Sequence, residues 1–276
     1  MSEWLATPVS LEEPIVNGDE AEVWAGHHAD GRIVVHVSPA WRQADQLRWC
    51  HDVALAASAS VAEVVPPLRV GDDSFTSWRG RLVAVFPFID GHTLDREDQS
   101  QVAQAATLLA RIHAVLLQQP RQAPPVPRSG WGNHPRMRDD DLDRAWERAK
   151  DHLVSGVCHG DYYRRNVLVA DRQVRGVIDW HDAYVGPLIG EVAFAAWEFG
   201  HDEDLQLNRP MFDLFLAVYE REAGHLPATD YASVPVAVRV QLRDNILWAL
   251  SQGASLEDEY QQKQAEAFWA LKSSLV

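Results

Sequence analysis

Lysine is nearly missing from this chain: Lys150, Lys263 and Lys272 are the only lysines among 25 basic residues, so the first half has none. A phosphate-gripping GxxxxGK[ST] loop is therefore excluded, and no GxGxxG run replaces it. Cysteine is almost as rare. With only Cys50 and Cys158, both in apolar surroundings, no disulfide framework is expected and both read as reduced, buried thiols. Cys158 adjoins His159, but neighbours on an extended segment point to opposite faces, so a nucleophile pair is not expected. No run of 18 apolar residues occurs, which excludes a membrane-spanning helix. Met1-Ser2-Glu3-Trp4 opens no signal peptide, and the expected location is the cytoplasm. Positive charge is also short. Against 40 Asp and Glu the formal net charge is -15, and a nucleic-acid partner is excluded because polyanion binding draws on clustered Lys and Arg.

What is present is a chain of 276 residues with 46% hydrophobic content, enough for one large domain or two lobes around a packed core. Its most informative stretch is residues 157–182. Asp161 and Asn166 lie five positions apart in one polar loop, and Asp179 ends the next apolar run. Phosphoryl transfer needs a positioned acceptor hydroxyl and cations that neutralise moving charge. Asp161 could accept the hydroxyl proton, with Asn166 and Asp179 holding Mg2+. Residues 167–170 and 174–179 are β-rich runs separated by Asp171-Arg172-Gln173, a hairpin signal that brings Asn166 and Asp179 to the same end of the ribbon. Two competing readings are solvated turn carboxylates and a phosphoesterase metal site through His159 and Asp161. The first leaves unexplained why both polar points flank so apolar a ribbon; the second lacks an HxH or HD partner pair elsewhere.

His159-x-Asp161-x4-Asn166 followed by Ile178-Asp179-Trp180 resembles the catalytic and metal-binding motifs of the aminoglycoside phosphotransferase and choline kinase group, small-molecule relatives of protein kinases. The resemblance covers nearly the whole chain. It implies an α+β, two-lobed protein kinase-like fold: a small antiparallel β-sheet lobe over residues 1–91 with a hinge near 86–90, and a larger, mainly helical lobe over 92–276. The catalytic loop would be 159–166 and the metal segment 178–182. ATP or GTP and Mg2+ are the implied cofactors. His159 would orient the loop by hydrogen bonding, and Glu191, which stands where the family commonly has an Asp, would have a structural role. Gly160 stands where many protein kinases carry an arginine that reads a phosphorylated loop, which argues against phosphorylation-gated activity.

The first 90 residues read as strands with one helix. Ala29-Asp30-Gly31 is a hairpin signal, residues 41–60 have helical spacing, and residues 82–91 form a buried strand broken by Pro87. Gly18 is the one glycine of a thin phosphate loop, and Phe86 and Phe88 lie at the hinge. The strand 32–37 puts His36 where the family carries its phosphate-binding lysine. For the acidic partner of that lysine, Asp45, Asp52 and the register of Cys50 remain open.

Residues 100–119 carry the broad apolar stripe of a core-facing helix, in which His113 is read as a packing residue. Residues 119–137 are a proline-rich connector, and helices are expected at about 139–154, 188–199, 208–222, 231–252 and 256–273, with strands in the catalytic ribbon only. Arg164 and Arg165 could reach a phosphate or an amino-acid carboxylate. Glu198, Asp202, Glu203 and Asp204, and Glu257, Asp258 and Glu259, form acidic clusters that suit either an amine or a solvated helix end. Trp180, Trp197, Trp248 and Trp269 could stack on a sugar or cage an ammonium, or pack in the core. The expected reaction is phosphorylation of a hydroxyl on an aminoglycoside or another amino- or sugar-containing compound. A homoserine or amino-alcohol kinase and a catalytically impaired nucleotide binder are the alternatives, and the chain is read as a monomer or homodimer.

Overall fold

A computed structural model describes residues 8–15, 21–119, 124–125 and 133–275. The chain begins with β1 (Ser10–Pro14), β2 (Glu22–His28), β3 (Gly31–Val37), helix α1 (Ala44–Ser58), β4 (Thr76–Trp78) and β5 (Arg81–Pro87). These strands form one antiparallel sheet in the order β1-β2-β3-β5-β4. Alternation along β3 explains its two faces. Ile33, Val35 and Val37 join Val83 and Val85 in a small core, so Val34 and His36 turn to the other face, toward α1. Phe86 lies opposite Val34 and shares that face.

The rest is mainly helical: β6 (His92–Thr93), α2 (Gln99–Leu117), α3 (Asp140–Ala149), β7 (Ser155–Cys158), β8 (Val167–Ala170), β9 (Gln173–Val177), β10 (Tyr184–Pro187), α4 (Leu188–Phe199), α5 (Arg209–Ala223), α6 (Ala228–Tyr231), α7 (Val234–Ser251) and α8 (Glu259–Ser274). Asp98 starts α2 by accepting from the Ser100 and Gln101 backbone N–H groups. Almost every residue of α4 is buried, as expected of a helix apolar on all sides, and α2, α5 and α7 pack around it. The large core runs from Trp49 and Cys50 of α1 through to Phe268 and Leu271 of α8.

Several expected boundaries shift. α1 is shorter than 41–60, and β5 ends at Pro87, although the Phe88 N–H still donates to the Arg32 carbonyl of β3 at 3.2 Å. The helix expected over 139–154 stops at Ala149 and tightens into a 3-10 turn, Lys150–His152. The one expected over 231–252 divides at Ala232-Ser233 ahead of Pro235, near the start of α7. Strands are not confined to the ribbon: β6 pairs with β8, and β10 returns to pair with β7. These pieces are two to four residues long, too short for alternation to reveal. Among the described residues, no helix is long and apolar enough to cross a membrane.

Candidate active site

The loop after β7 is held by hydrogen bonds that its sequence does not advertise. His159 is fully buried; its Nε2–H donates to the Ile178 carbonyl at 3.0 Å and its Nδ1 accepts from the Asp161 backbone N–H at 3.2 Å. Burial lowers its pKa and keeps it neutral, which suits a residue that accepts on one nitrogen and donates on the other. Gly160 has φ +91°, and a Cβ there would stand 2.0 Å from the Asp182 carbonyl oxygen. An arginine is therefore sterically excluded at this position. Glu191, buried on α4, accepts from the backbone N–H groups of His159 at 3.0 Å and Gly160 at 2.6 Å. His113 of α2 donates to the same carboxylate at 2.8 Å and meets Tyr219 Oη at 2.7 Å. His113 is thus more than a packing residue: it fixes the carboxylate that fixes the loop.

Asn166 spends its amide N–H groups on Asp161, at 2.8 Å to Oδ2 and 2.9 Å to the backbone carbonyl. Its side-chain oxygen is left for a ligand. Ile178 N–H donates to the Asn166 carbonyl at 3.0 Å, and Val167 pairs with Val177, so Asp179 stands at the same ribbon end as Asn166. Asp179 adopts φ +64°, unusual for a non-glycine residue, and its side chain remains 44% exposed. His181 Nδ1–H donates to Asp179 Oδ1 at 2.7 Å, leaving Oδ2 free. The surrounding protein pushes the Asp179 carboxyl up, but the hydrogen bond and charge of His181 outweigh this and hold it low. Asp161 moves the other way: burial, then the charges of Asp179, Asp182 and Glu198, push it well above the usual carboxylate range. An amide oxygen and a carboxylate oxygen converging beside a basic carboxylate fit a hard divalent cation such as Mg2+.

The face of β3 opposite its core meets this segment. His36 lies with its ring centroid 4.2 Å from that of His181 and 6.4 Å from that of Phe86. Burial and the adjacent His181 push the His36 pKa down to about 3, so it offers a neutral imidazole and not a lysine-like charge. No acidic partner faces it from α1, where Asp45 and Asp52 are exposed. His51 stands there instead, bonded to Ser74 Oγ at 2.8 Å and 5.6 Å from His181 between ring centroids. Cys50 faces the His181 carbonyl at 3.4 Å, and burial pushes its thiol up to about 12. Arg42 ties the same segment down through the His181 carbonyl at 2.9 Å and Asp182 at 3.2 Å.

The remaining expected residues scatter. Phe86 packs against His36, His51 and His181, whereas Phe88 lies under the Arg32 guanidinium at 3.7 Å. Gly18 lies outside the described residues, as does most of the 119–137 connector. Glu198 is nearly buried and close enough to raise the pKa of Asp161; Asp202 spends Oδ1 on the Asp204 and Gln206 N–H groups, both at 2.9 Å. Arg165 is exposed in the 3-10 turn Arg164–Asn166. Trp180 and Trp197 are core residues, and Trp269 is partly exposed beside Arg136. The second acidic cluster forms ion pairs of its own, Glu257 with Arg136 and Glu259 with Lys263. His113, Cys158 and Glu191 lie close enough together to ligate a metal, but both His113 nitrogens and both Glu191 oxygens already serve the loop anchor. His51 and His181 were missed from sequence, with only the Asp179-x-His181 spacing as a hint; Glu191 was read as structural, but its bonds to His113 and to the loop N–H groups were not foreseen.

Residues 12–227 match the model of the phosphotransferase enzyme family, APH. The homoserine kinase of Neisseria meningitidis serogroup B is 30% identical over 99 residues, which is 36% of this chain and 32% of that protein. The homoserine kinase of Rhodopseudomonas palustris is 27% identical over 195 residues, 63% of this chain and 58% of that protein. The chain thus spans less than two thirds of either curated relative. Among solved structures, the microcompartment-associated aminopropanol kinase superposes with TM-score 0.73 at 18% identity, covering 97% of this chain and 92% of that one. The amicoumacin kinase hAmiN in complex with AMP-PNP, Ca2+ and Ami gives 0.71 at 14% identity, with 96% and 87% covered. Aminoglycoside phosphotransferase APH(4)-Ia with ADP and hygromycin B gives 0.64 at 16% identity, with 100% and 97% covered. A family match over most of the chain, with a shared kinase-like fold, leads to one conclusion: this chain belongs to the phosphotransferase enzyme family.

Proposed function

We propose that the chain transfers the γ-phosphoryl group of ATP, or of GTP, to a hydroxyl of a small amine-bearing molecule, with Asp161 as the proton acceptor. The observation that carries this reading is the convergence of Asp161, the free Asn166 side-chain oxygen and Asp179 Oδ2 at one ribbon end. Asn166 and Asp179 would hold the divalent cation, which when bound neutralises charge on the phosphates. Asp161, oriented by the Asn166 amide, accepts the proton of the attacking hydroxyl. Glu191 and His159 keep the loop rigid, so that Asp161 meets the hydroxyl without rearrangement. His36 offers a neutral hydrogen bond to a phosphate oxygen, and the hinge near 86–90 would carry the base. Amino alcohols and hydroxy amino acids lead the candidate acceptors, on the strength of the homoserine kinase relatives. Aminoglycosides, with antibiotic resistance as the consequence, form the second class, suggested by the acidity of the acceptor side.

Mg-ATP-dependent thermal shift and an ATP-consumption panel of amino alcohols, hydroxy amino acids, sugars, choline and aminoglycosides test the reading together. Asp161→Ala should abolish turnover and keep nucleotide binding, whereas Asp179→Ala should weaken Mg-ATP binding. Full activity in Asp161→Ala, or no thermal shift at millimolar Mg-ATP, would refute the mechanism.

A further inference from the structure

The segment that carries Asp179 is gripped from two sides. Trp180 is buried and packs on His159 of the catalytic loop, 4.5 Å between ring centroids. The next residue, His181, enters the N-terminal sheet and α1 instead. Its ring centroid lies 4.2 Å from that of His36 on β3, 5.6 Å from that of His51 on α1 and 5.8 Å from that of Phe86 on β5. Its backbone carbonyl accepts from Arg42 Nη1–H at 2.9 Å and from the Cys50 thiol at 3.4 Å. Two strands, one helix and the turn that joins β3 to α1 therefore hold a single residue.

Packing alone does not account for an imidazole at this position. His36 Nδ1, His51 Nε2 and His181 Nε2 are buried and have no hydrogen-bond partner among the described residues, so the three rings meet by contact and not by hydrogen bonding. A phenyl ring would fill the same place without an unsatisfied buried nitrogen, which costs stability. The hydrogen bond that the His181 side chain does make runs from Nδ1–H to Asp179 Oδ1 at 2.7 Å. Asp179 rests at φ +64°, where few non-glycine residues settle, so its carboxylate depends on an outside partner for its direction. By taking Oδ1, His181 fixes where Oδ2 stands.

We infer that His181 is a positioning residue through which the N-terminal sheet and α1 set the direction of the Asp179 carboxylate toward a divalent cation. This rests on the kinase reading above and deepens it, by naming what aims one of its two cation ligands. Mg2+ demands near-octahedral geometry, so a carboxylate free to swing binds it poorly. Partners that orient a ligating carboxylate are accordingly worth about 10- to 100-fold in metal affinity. Arg42 acts one step further back: it holds the His181 backbone, and the His181 side chain holds Asp179.

His181→Asn and His181→Leu separate the hydrogen bond from the ring. Both remove the imidazole and have nearly the same shape, but the Asn amide donates from the place of Nδ1 and Leu has no donor. In the full-length chain, Mg2+ is titrated at saturating ATP, and the half-saturating concentration is read by thermal shift and by ATP consumption with the best acceptor. His181→Leu should raise it about 10- to 100-fold, with most of kcat restored at saturating Mg2+, and His181→Asn should recover most of the loss. Arg42→Gln should raise the same requirement, and adding it to His181→Leu should have little further effect, because both act along one path. Equal requirements in the Asn and Leu variants, or a wild-type requirement in the Leu variant, would overturn the positioning role and leave the kinase standing. A wild-type requirement in Arg42→Gln would overturn the link to the N-terminal sheet and α1, and this variant decides the matter if His181→Leu does not fold. A wild-type chain that neither binds Mg-ATP nor consumes ATP with any acceptor would overturn the kinase reading itself, and the role of His181 with it.

Discussion

Glu191→Gln is the most searching test of how the catalytic loop is held. The carboxylate is 5% exposed and accepts three hydrogen bonds, from His159 N–H and His113 Nε2–H on one oxygen and from Gly160 N–H on the other. A glutamine has the same shape but only one accepting oxygen. If its NH2 group faces Gly160, that backbone N–H loses its acceptor. Turned the other way, it faces His113, which can switch tautomer and accept, but His159 N–H is then left without a partner. Either orientation leaves one buried loop N–H unsatisfied, at a cost of about 1–3 kcal/mol, and removes the charge that strengthens the others. The expected destabilisation is about 2–4 kcal/mol, a Tm lower by roughly 5–10 °C. A loop displaced by even ~1 Å loses about 100-fold in rate. Steady-state kinetics should therefore show kcat falling by about 10- to 100-fold while Mg-ATP affinity, read by thermal shift, changes little. A variant with wild-type kcat and a Tm within about 2 °C would refute the anchor.

Gly160→Ala should abolish turnover, because its Cβ would meet the Asp182 carbonyl at 2.0 Å on a backbone with φ +91°; an active, stable variant would disprove the contact. Asp139 caps α3 and pairs with the buried Arg239 at 2.8 Å, and although burial pushes its carboxyl up, the Arg239 hydrogen bond and others hold it well below the usual range. A depressed carboxyl contributes stability above its unfolded pKa of about 3.9 and loses it as pH falls. Urea unfolding from pH 7 to pH 3 should show a shallower acid loss for Asp139→Asn than for the wild type, with a lower stability at pH 7; parallel curves would exclude the linkage. His36→Ala should raise the KM for ATP by a similar factor at pH 6 and pH 8, since His36 with a pKa of about 3 carries no charge at either. An effect confined to pH 6 would mean that the bound nucleotide charges the ring.

The parts that were legible in sequence share one property: their partners are close along the chain. Asp161 and Asn166 are five residues apart, and the β8–β9 ribbon that carries Asp179 to Asn166 is a local hairpin. The β2–β3 turn and the stripes of α2 and α5 follow from the same short-range periodicity. The anchors were hidden because their partners are remote. His113 reaches Glu191 across 78 residues and Tyr219 across 106, and Arg96 reaches His201 across 105. A histidine on an apolar stripe looks like core until the helix carrying its acceptor is packed against it. The short β7–β10 pair was illegible for a related reason, since neither strand alternates long enough to show a face.

The sequence by itself pointed to the proposed reaction class, because Asp161, Asn166 and Asp179 sit in one contiguous segment at fixed spacing. It also determined that no lysine could grip the phosphates in the strand that should carry one. Only the tertiary structure decided the surroundings of His36 in that strand: it stacks near His181, with His51 close to the same ring, and burial holds its pKa near 3. It likewise decided that Gly160 is a steric necessity and that Glu191 and His113 clamp the loop. Charge state and contact depend on burial and on distant partners, and neither exists until the chain has folded.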